Sequence, residues 1–190
     1  MHKINVGFAL CGSFCTLHKA VEQLRLLIEG GADVLPVMSQ TAYETDTRFG
    51  TAKKWIETVE TLCGRPVLHT IAETEPIGPK CLVELMVVAP CTGNTAAKLA
   101  HGITDTPVTM AVKSSLRNRI PVLLTMATND ALSASAQNIG RLMNVKHLYF
   151  TPMGQDDPLK KPNSVVADFT RLPAAMEAAL SGEQLQPVLL

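Results

Sequence analysis

Two short segments carry side chains whose type and spacing suit anion and ring binding. In Cys11-Gly12-Ser13-Phe14-Cys15-Thr16, Gly12 permits a tight turn, and Ser13 and Thr16 offer hydroxyls where helical periodicity begins at once. A helix N-terminus points unpaired N–H groups outward and is electropositive, so a phosphate is its natural guest. In Pro90-Cys91-Thr92-Gly93-Asn94-Thr95 the side chains are small and polar, so a flat or anionic ligand can approach the backbone. The Asn94 amide can both donate and accept, and Thr95 is available to cap the following helix. The spacing is not a dinucleotide fingerprint, because Gly7 and Gly12 are five apart with no third glycine nearby. It is not a P-loop either, since no Gly-Lys-Ser/Thr follows.

Further groups are candidates for proton transfer or charge. His69 opens the 69–80 segment, as a general base or as a plain loop histidine. His18 follows the first polar loop, as an anion ligand or an exposed helix residue. Lys113, Arg117 and Arg119 form the densest basic group, and Lys160-Lys161 sit in a polar loop; each is a candidate for an anionic substrate or a solvated surface charge. Asp105 is expected to cap the helix starting at Pro107. The cysteines, Cys11, Cys15, Cys63, Cys81 and Cys91, form no CxxC pair and read as reduced thiols; no metal site is expected.

The elements that position these groups alternate. Strands are predicted over Ile4–Leu10, Asp33–Met38, Leu82–Ala89, Pro121–Ala127 and His147–Phe150, with a brief one at Val67-Leu68. Helices are predicted from Leu17, Val21, Leu24 and Ile28 up to Gly30-Gly31, then over Thr51–Leu62, Thr95–Ala100, Pro107–Leu116, Ser133–Met143 and Val165–Leu180, the last broken at Pro173. Residues 69–80 read as loop, 154–164 as a polar loop, and 183–190 as a loose tail after a domain spanning 1–182. Strands apolar along their whole length between helices mean a mostly parallel sheet covered on both faces, a Rossmann-like or flavodoxin-like three-layer α/β sandwich. Such sheets bind ligands at the carboxyl ends of their strands. The loops there are 12–16, 39–42, 90–95 and 127–132, all rich in small polar residues. Together they suit a ligand with a phosphate, ribityl hydroxyls and a ring.

The chain is 46% hydrophobic and 18% charged, enough for a sheet covered on two faces with apolar surface left for subunit contacts. Seventeen basic and seventeen acidic residues argue against DNA or an anionic membrane as a bulk electrostatic partner. Met1-His2-Lys3 is expected to lead straight into a strand, without a signal peptide, and no apolar run approaches membrane-spanning length.

These residues resemble the flavoprotein family that includes the cysteine decarboxylases and phosphopantothenoylcysteine decarboxylase. GSFCTLHK is similar to its Gly-Ser phosphate loop, and APCTGNTAAKLAHG to its Pro-Ala-Ser-Ala-Asn-Thr motif. MATNDAL resembles its Pro-Ala-Met-Asn-x-x-Met motif with Asn129 kept and Pro and Met replaced. The resemblance implies FMN contacts at Gly12, Ser13, Thr16, Ser39, Pro90, Thr92, Asn94, Thr95 and Asn129, often at a subunit interface, and a homo-oligomer, a trimer or a multiple of one.

Two family features are absent. The last cysteine is Cys91, so the C-terminal segment TPMGQDDPLKKPNS lacks the decarboxylases' thiol, and the nearest upstream histidine, His69, lies 21 residues before Pro90. VMSQTAYETDTRFG, EPIGPK and TGNTAAKLAHGITDTPVTMAVKSSLRN resemble the branch of dipicolinate synthase B subunits from spore-forming bacteria. That branch implies a cytoplasmic oxidoreductase subunit of the sporulating mother cell, beside an A subunit with a nucleotide-binding domain. The reaction is oxidation of dihydrodipicolinate to pyridine-2,6-dicarboxylate. FMN would sit here and NAD(P) on the partner, with His69 and Asn94 as catalytic candidates and Lys113 and His18 as substrate ligands. A decarboxylase with an altered substrate and a non-catalytic partner of flavin-type fold are the alternative readings.

Overall fold

The computed structural model describes residues 4–190, so the expectation for Met1-His2-Lys3 lies outside the described residues. The elements run β1 (Asn5–Leu10), α1 (Phe14–Glu29), β2 (Asp33–Met38), α2 (Gln40–Glu44), α3 (Ala52–Cys63), α4 (Ile71–Thr74), β3 (Leu85–Cys91), α5 (Gly93–Ala100) and α6 (Pro107–Arg117). They continue with β4 (Val122–Thr128), α7 (Ala136–Leu142), β5 (Leu148–Phe150), β6 (Met153–Gly154), β7 (Val165–Ala167) and α8 (Leu172–Leu180). Five strands pair in parallel in the order β2-β1-β3-β4-β5. β4 is shared lengthwise: Val122–Leu124 pairs with β5, while Ala127 and Thr128 pair antiparallel with β7, which carries β6. This strand order is flavodoxin-like, and it bears out the mostly parallel, three-layer α/β sheet predicted from the alternation of elements.

Successive strand residues point to opposite faces, and both faces are packed. Phe8, Leu10, Leu85, Val87 and Leu123 join α1, α3 and α8 residues such as Leu17, Val59 and Met176 in one core layer. Ala9, Met86, Val88, Leu124 and Met126 join Ala96, Val108, Val112 and Ile139 of α5, α6 and α7 in the other. Pro36 is tolerated in β2 because that strand lies at the sheet's edge, touched beyond, among the described residues, only by a bridge from Val37 to Leu68.

Several expectations are corrected. β3 runs through Pro90 to Cys91 instead of stopping there: the ladder shifts register between Val88 and Cys91, and the Pro90 carbonyl accepts the Cys11 N–H at 3.3 Å. Residues 69–80 are partly helical, because Thr70 and Glu73 form a capping box that starts α4, and a 3₁₀ turn, Glu75–Ile77, follows. Val165–Ala167 is a strand, and Pro173 opens α8, where its missing N–H costs nothing, rather than breaking a longer helix. The tail is tied down: the Gln184 side chain bonds both Phe150 N–H and C=O, and Val188 and Leu190 bond the Met153 backbone.

Candidate functional site at the carboxyl edge of the sheet

The chain leaves β1 for β2 on one side and reaches β3 on the other, so the loops after β1 and β3 diverge and open a crevice. Each loop is fixed by short local bonds. The Thr95 hydroxyl reaches Cys11 Sγ at 3.3 Å and Thr92 Oγ1 at 3.1 Å. Thr92 caps α5, its hydroxyl accepting the Thr95 N–H at 3.3 Å, so the helix begins two residues before Thr95, which is a first-turn residue and not the cap. Ser39 donates its N–H to Leu10 C=O and caps α2 by accepting from Ala42 N–H. The hydroxyls of Ser39, Thr92 and Thr95 therefore serve the backbone and neighbouring side chains and set the loop shape.

α1 is different. Ser13 stands at its N-cap without a side-chain capping bond; its Oγ accepts from Thr16 Oγ1 at 2.9 Å. The Thr16 N–H donates to Ser13 C=O at 3.0 Å, and the Phe14 and Cys15 N–H groups of this 16-residue helix make no hydrogen bond among the described residues. They open on a cleft of about 220 Å³. Ser13, Cys15, Thr16 and Lys19 form one wall, Thr128, Asn129 and Val166 another, and Asp156 and Lys161 of the 155–164 loop the third. Lys161 Nζ lies 3.1 Å from Asp156 Oδ2. That bond raises the Lys161 ammonium's pKa. Burial pushes the Asp156 carboxyl up, but hydrogen bonds from Ser164 and Lys161 outweigh it and hold the group below its usual value. Exposed Asn129 accepts a hydrogen bond from Ser164 at 3.3 Å. Gly12 is close-packed: a Cβ there would meet Thr41 Cγ2 at 2.9 Å.

Asn94 is exposed in the first turn of α5, and its amide makes no hydrogen bond among the described residues. Gly93 beside it is buried against the loop after β4. The two buried thiols of the crevice, Cys11 and Cys91, are protonated. Burial pushes Cys11 up to about 11 against a hydrogen bond from Thr95, and burial drives Cys91 well above its ordinary value. Neither is a thiolate nucleophile at neutral pH.

The structure thus brings Gly12, Ser13, Thr16, Ser39, Pro90, Thr92, Asn94, Thr95 and Asn129 to one edge. His69 reaches that edge from its far side. Leu68 bonds Pro36 and Met38 alongside β2, so His69 emerges beyond the outer strand. Its ring stacks on Tyr43, centroids 4.0 Å apart and planes within 2°, and its Nδ1 lies 3.3 Å from Val67 C=O and 3.6 Å from Glu73 Oε2. His18 is exposed on α1 in a separate hollow with Asp168 and Thr170. Lys113 is exposed on α6 and lines another groove, so it does not join the edge loops. Asp105 does not cap α6: Thr106 does, in a reciprocal pair with Thr109, and Asp105 is held by Lys98 at 2.7 Å. The sequence reading missed Lys19, whose place on the cleft follows from helical spacing after Ser13, and Asp156, which only the fold of the 155–164 loop brings in.

The Flavoprotein family model matches residues 1–177. The chain belongs to the Flavoprotein family. It is 46% identical over 185 residues to the B subunit of dipicolinate synthase of Bacillus subtilis strain 168, covering 97% of this chain and 92% of that one. The crystal structure of the dipicolinate synthase B subunit from Bacillus halodurans superposes with a TM-score of 0.90 at 45% identity, covering 100% of this chain and 98% of that one. Burkholderia xenovorans DmrB, described as a cubic protein cage for redox transfer and solved in complex with FMN, shares the fold at a TM-score of 0.67 and 22% identity, over 94% of this chain and 96% of that one. Among the described residues, no helix of this flavoprotein is long and apolar enough to cross a membrane.

Proposed function

We propose that this flavoprotein is the B subunit of a dipicolinate synthase. It holds FMN at the carboxyl edge of its sheet and works with a nucleotide-binding A subunit to oxidise dihydrodipicolinate to pyridine-2,6-dicarboxylate in the sporulating mother cell. The observation that carries the reading is the uncapped N-terminus of α1 opening between Lys19 and Lys161, in a chain 46% identical to a B subunit along almost its whole length.

The residues present fit the cofactor. The Phe14 and Cys15 N–H groups, the Ser13 and Thr16 hydroxyls and Lys161 suit a phosphate dianion, and the small side chains of 92–95 admit a ring against the backbone. FMN bound there supplies a hydride acceptor, and NAD(P) on the A subunit supplies a second one. Aromatisation removes a hydride equivalent and a proton. Asn94, with its amide unengaged, orients the ring or a substrate carboxylate, and His69 accepts the proton. The cleft of about 220 Å³ lies below the roughly 300–1,000 Å³ usual for ligand pockets. A second copy therefore covers the ring, in a closed homo-oligomer, a trimer or a multiple of one.

A decarboxylase reading lacks the family's loop thiol. The 155–164 loop has no thiol, and Cys11 and Cys91 stay protonated. The test is reconstitution. Purified chain titrated with FMN should perturb the flavin spectrum. Together with the A subunit, NAD(P) and dihydrodipicolinate it should form dipicolinate, and either subunit alone should form far less. Full-rate conversion by this chain alone, with oxygen as acceptor, would overturn the two-subunit account, and failure to take up FMN would overturn the cofactor assignment.

A further inference from the structure

Away from the edge, the surface formed by α5, α6, α7 and β5 combines apolar grooves with unpaired cations. One groove of about 450 Å³ is floored by Leu99, Val112, Leu116, Leu142 and Leu148, with Ile103 on its rim 46% exposed. A second hollow shares Leu148 with it and is edged by Met143 and Val145, 42% and 39% exposed. Contiguous apolar surface of this kind marks an interaction site rather than ordinary exposure.

Cations outnumber acids around it. Lys113 and Arg117 line the first groove and Lys146 the second, and Arg141 points its guanidinium at His101 Nε2, 3.0 Å away. Among the described residues Lys113, Arg141 and Lys146 make no ion pair; Arg117 makes only a loose one, 3.6 Å from Glu75. The nearby Asp105 is already held by Lys98. In a chain with equal numbers of acidic and basic residues, this local surplus is a property of the face and not of the whole surface.

We infer that this face docks an acidic amphipathic helix of a different protein chain, its apolar stripe in the Leu99–Leu116–Leu148 groove and its carboxylates on Lys113, Arg117 and Lys146. Apolar anchors at helical spacing supply the affinity, and the cations steer and orient. A second copy of this chain fits poorly: Glu22 and Glu29 on α1 are held by Arg25, Glu57 on α3 lies 3.8 Å from Lys53, and α8 carries a single acid, Glu177. The inference rests on the reading that the chain works with a second subunit, and it assigns Lys113 to that partner instead of to substrate.

The test uses the purified chain and purified A subunit in isothermal titration and sedimentation velocity, at low and physiological salt. The double variant Lys113→Glu/Arg117→Glu should weaken the complex at least ~30-fold (about 2 kcal/mol at 1.4 kcal/mol per tenfold) and flatten its salt dependence. Ile103→Ser, which changes no charge, should weaken it about tenfold at both salts. The chain's own oligomeric state and its FMN titration should not change. Unaltered affinity in both variants overturns the docking face and leaves the two-subunit reading standing. Absence of any complex with the unmodified chain overturns both. A changed homo-oligomer in either variant makes the face a contact between copies and overturns the inference.

Discussion

Gly93, the first residue of α5, joins that helix to the loop after β4, and adding one methyl group there tests the whole arrangement. A Cβ at Gly93 would lie 2.7 Å from Ser135 Oγ, 2.7 Å from Thr128 Oγ1 and 2.8 Å from Asp130 Oδ1. These three atoms form one knot: the Ser135 hydroxyl donates to Asp130 Oδ1 at 3.0 Å, and the Thr128 hydroxyl donates to the same oxygen. All three are side-chain ends tied to one another, so Gly93→Ala must break bonds in the knot to move them or displace α5. Losing one hydrogen bond to a carboxylate costs about 1.5–3 kcal/mol. The helix propensity gained by replacing glycine returns at most about 1 kcal/mol. The net loss is about 0.5–2 kcal/mol, which for a chain of this length lowers Tm by about 1–8 °C. Gly140 is the control, since it sits exposed in the middle of α7 with nothing within 4 Å of its added Cβ. Gly140→Ala should stabilise by about 0.5–1 kcal/mol. Thermal denaturation of the two variants should give shifts of opposite sign, and FMN titration should weaken only for Gly93→Ala. If both raise Tm, or if Gly93→Ala leaves Tm and FMN binding unchanged, the close packing of α5 on the 128–135 loop is refuted.

Other substitutions separate shape from chemistry. Gly12→Val places side-chain atoms where Thr41 already approaches and fills the turn before α1; FMN retention should be lost while far-ultraviolet circular dichroism is kept. Asn94→Ala should change stability by less than about 0.5 kcal/mol, because Thr92 and not Asn94 caps α5, yet lower turnover about tenfold; a large fall in Tm with normal turnover would assign Asn94 to structure. Thr92→Ala should cost about 1 kcal/mol from the lost cap, read by denaturant unfolding. The Glu73 carboxyl is held below its ordinary value chiefly by the His69 N–H, with bonds from Thr70 adding and burial opposing. A depressed carboxyl stabilises the fold above its unfolded pKa, and that contribution is lost as pH falls through the folded pKa. The group is exposed and screened, so the Tm advantage of the wild type over Glu73→Gln should be small at neutral pH and shrink on acidification; a difference constant with pH would remove Glu73 from that role.

The sheet was legible because its signal is redundant. Five apolar runs, four of them followed by a small polar loop, are compatible with one architecture, and the carboxyl-edge loops follow from it. What escaped the sequence was decided by single hydrogen bonds or by tertiary pairing. Thr70 and Glu73 have capping-box spacing, but Pro76, Gly78 and Pro79 nearby read as loop. Val165–Ala167 has too few residues to show a period, and becomes a strand only because the carboxyl half of β4 offers it an edge. Residue type drew attention to Lys113 and His18, whereas the edge cations, Lys19 and Lys161, are set by the path of α1 and of the 155–164 loop.

α5 belongs to both candidate surfaces, which ties the proposed chemistry to the proposed partner. Its first turn carries Gly93 and Asn94 at the sheet edge, and its last turn carries Leu99 into the apolar groove, with His101 at its C-cap bonded to Arg141. Eight residues of helix span about 12 Å. A helix that short moves as a rigid body, and Gly93 permits no slack at its N-terminus because three oxygen atoms already occupy the space a side chain would need. A partner that seats Leu99 and Ile103 therefore acts on the element that carries the Asn94 amide. This gives a physical reason for a second subunit to matter to turnover even where it contributes no atom to the edge itself. It also sets an order of effects. Substitutions in the groove should alter affinity for the partner first, and turnover only in the assembled pair. Asn94→Ala, which leaves the cap and position of α5 intact, should alter turnover without touching assembly.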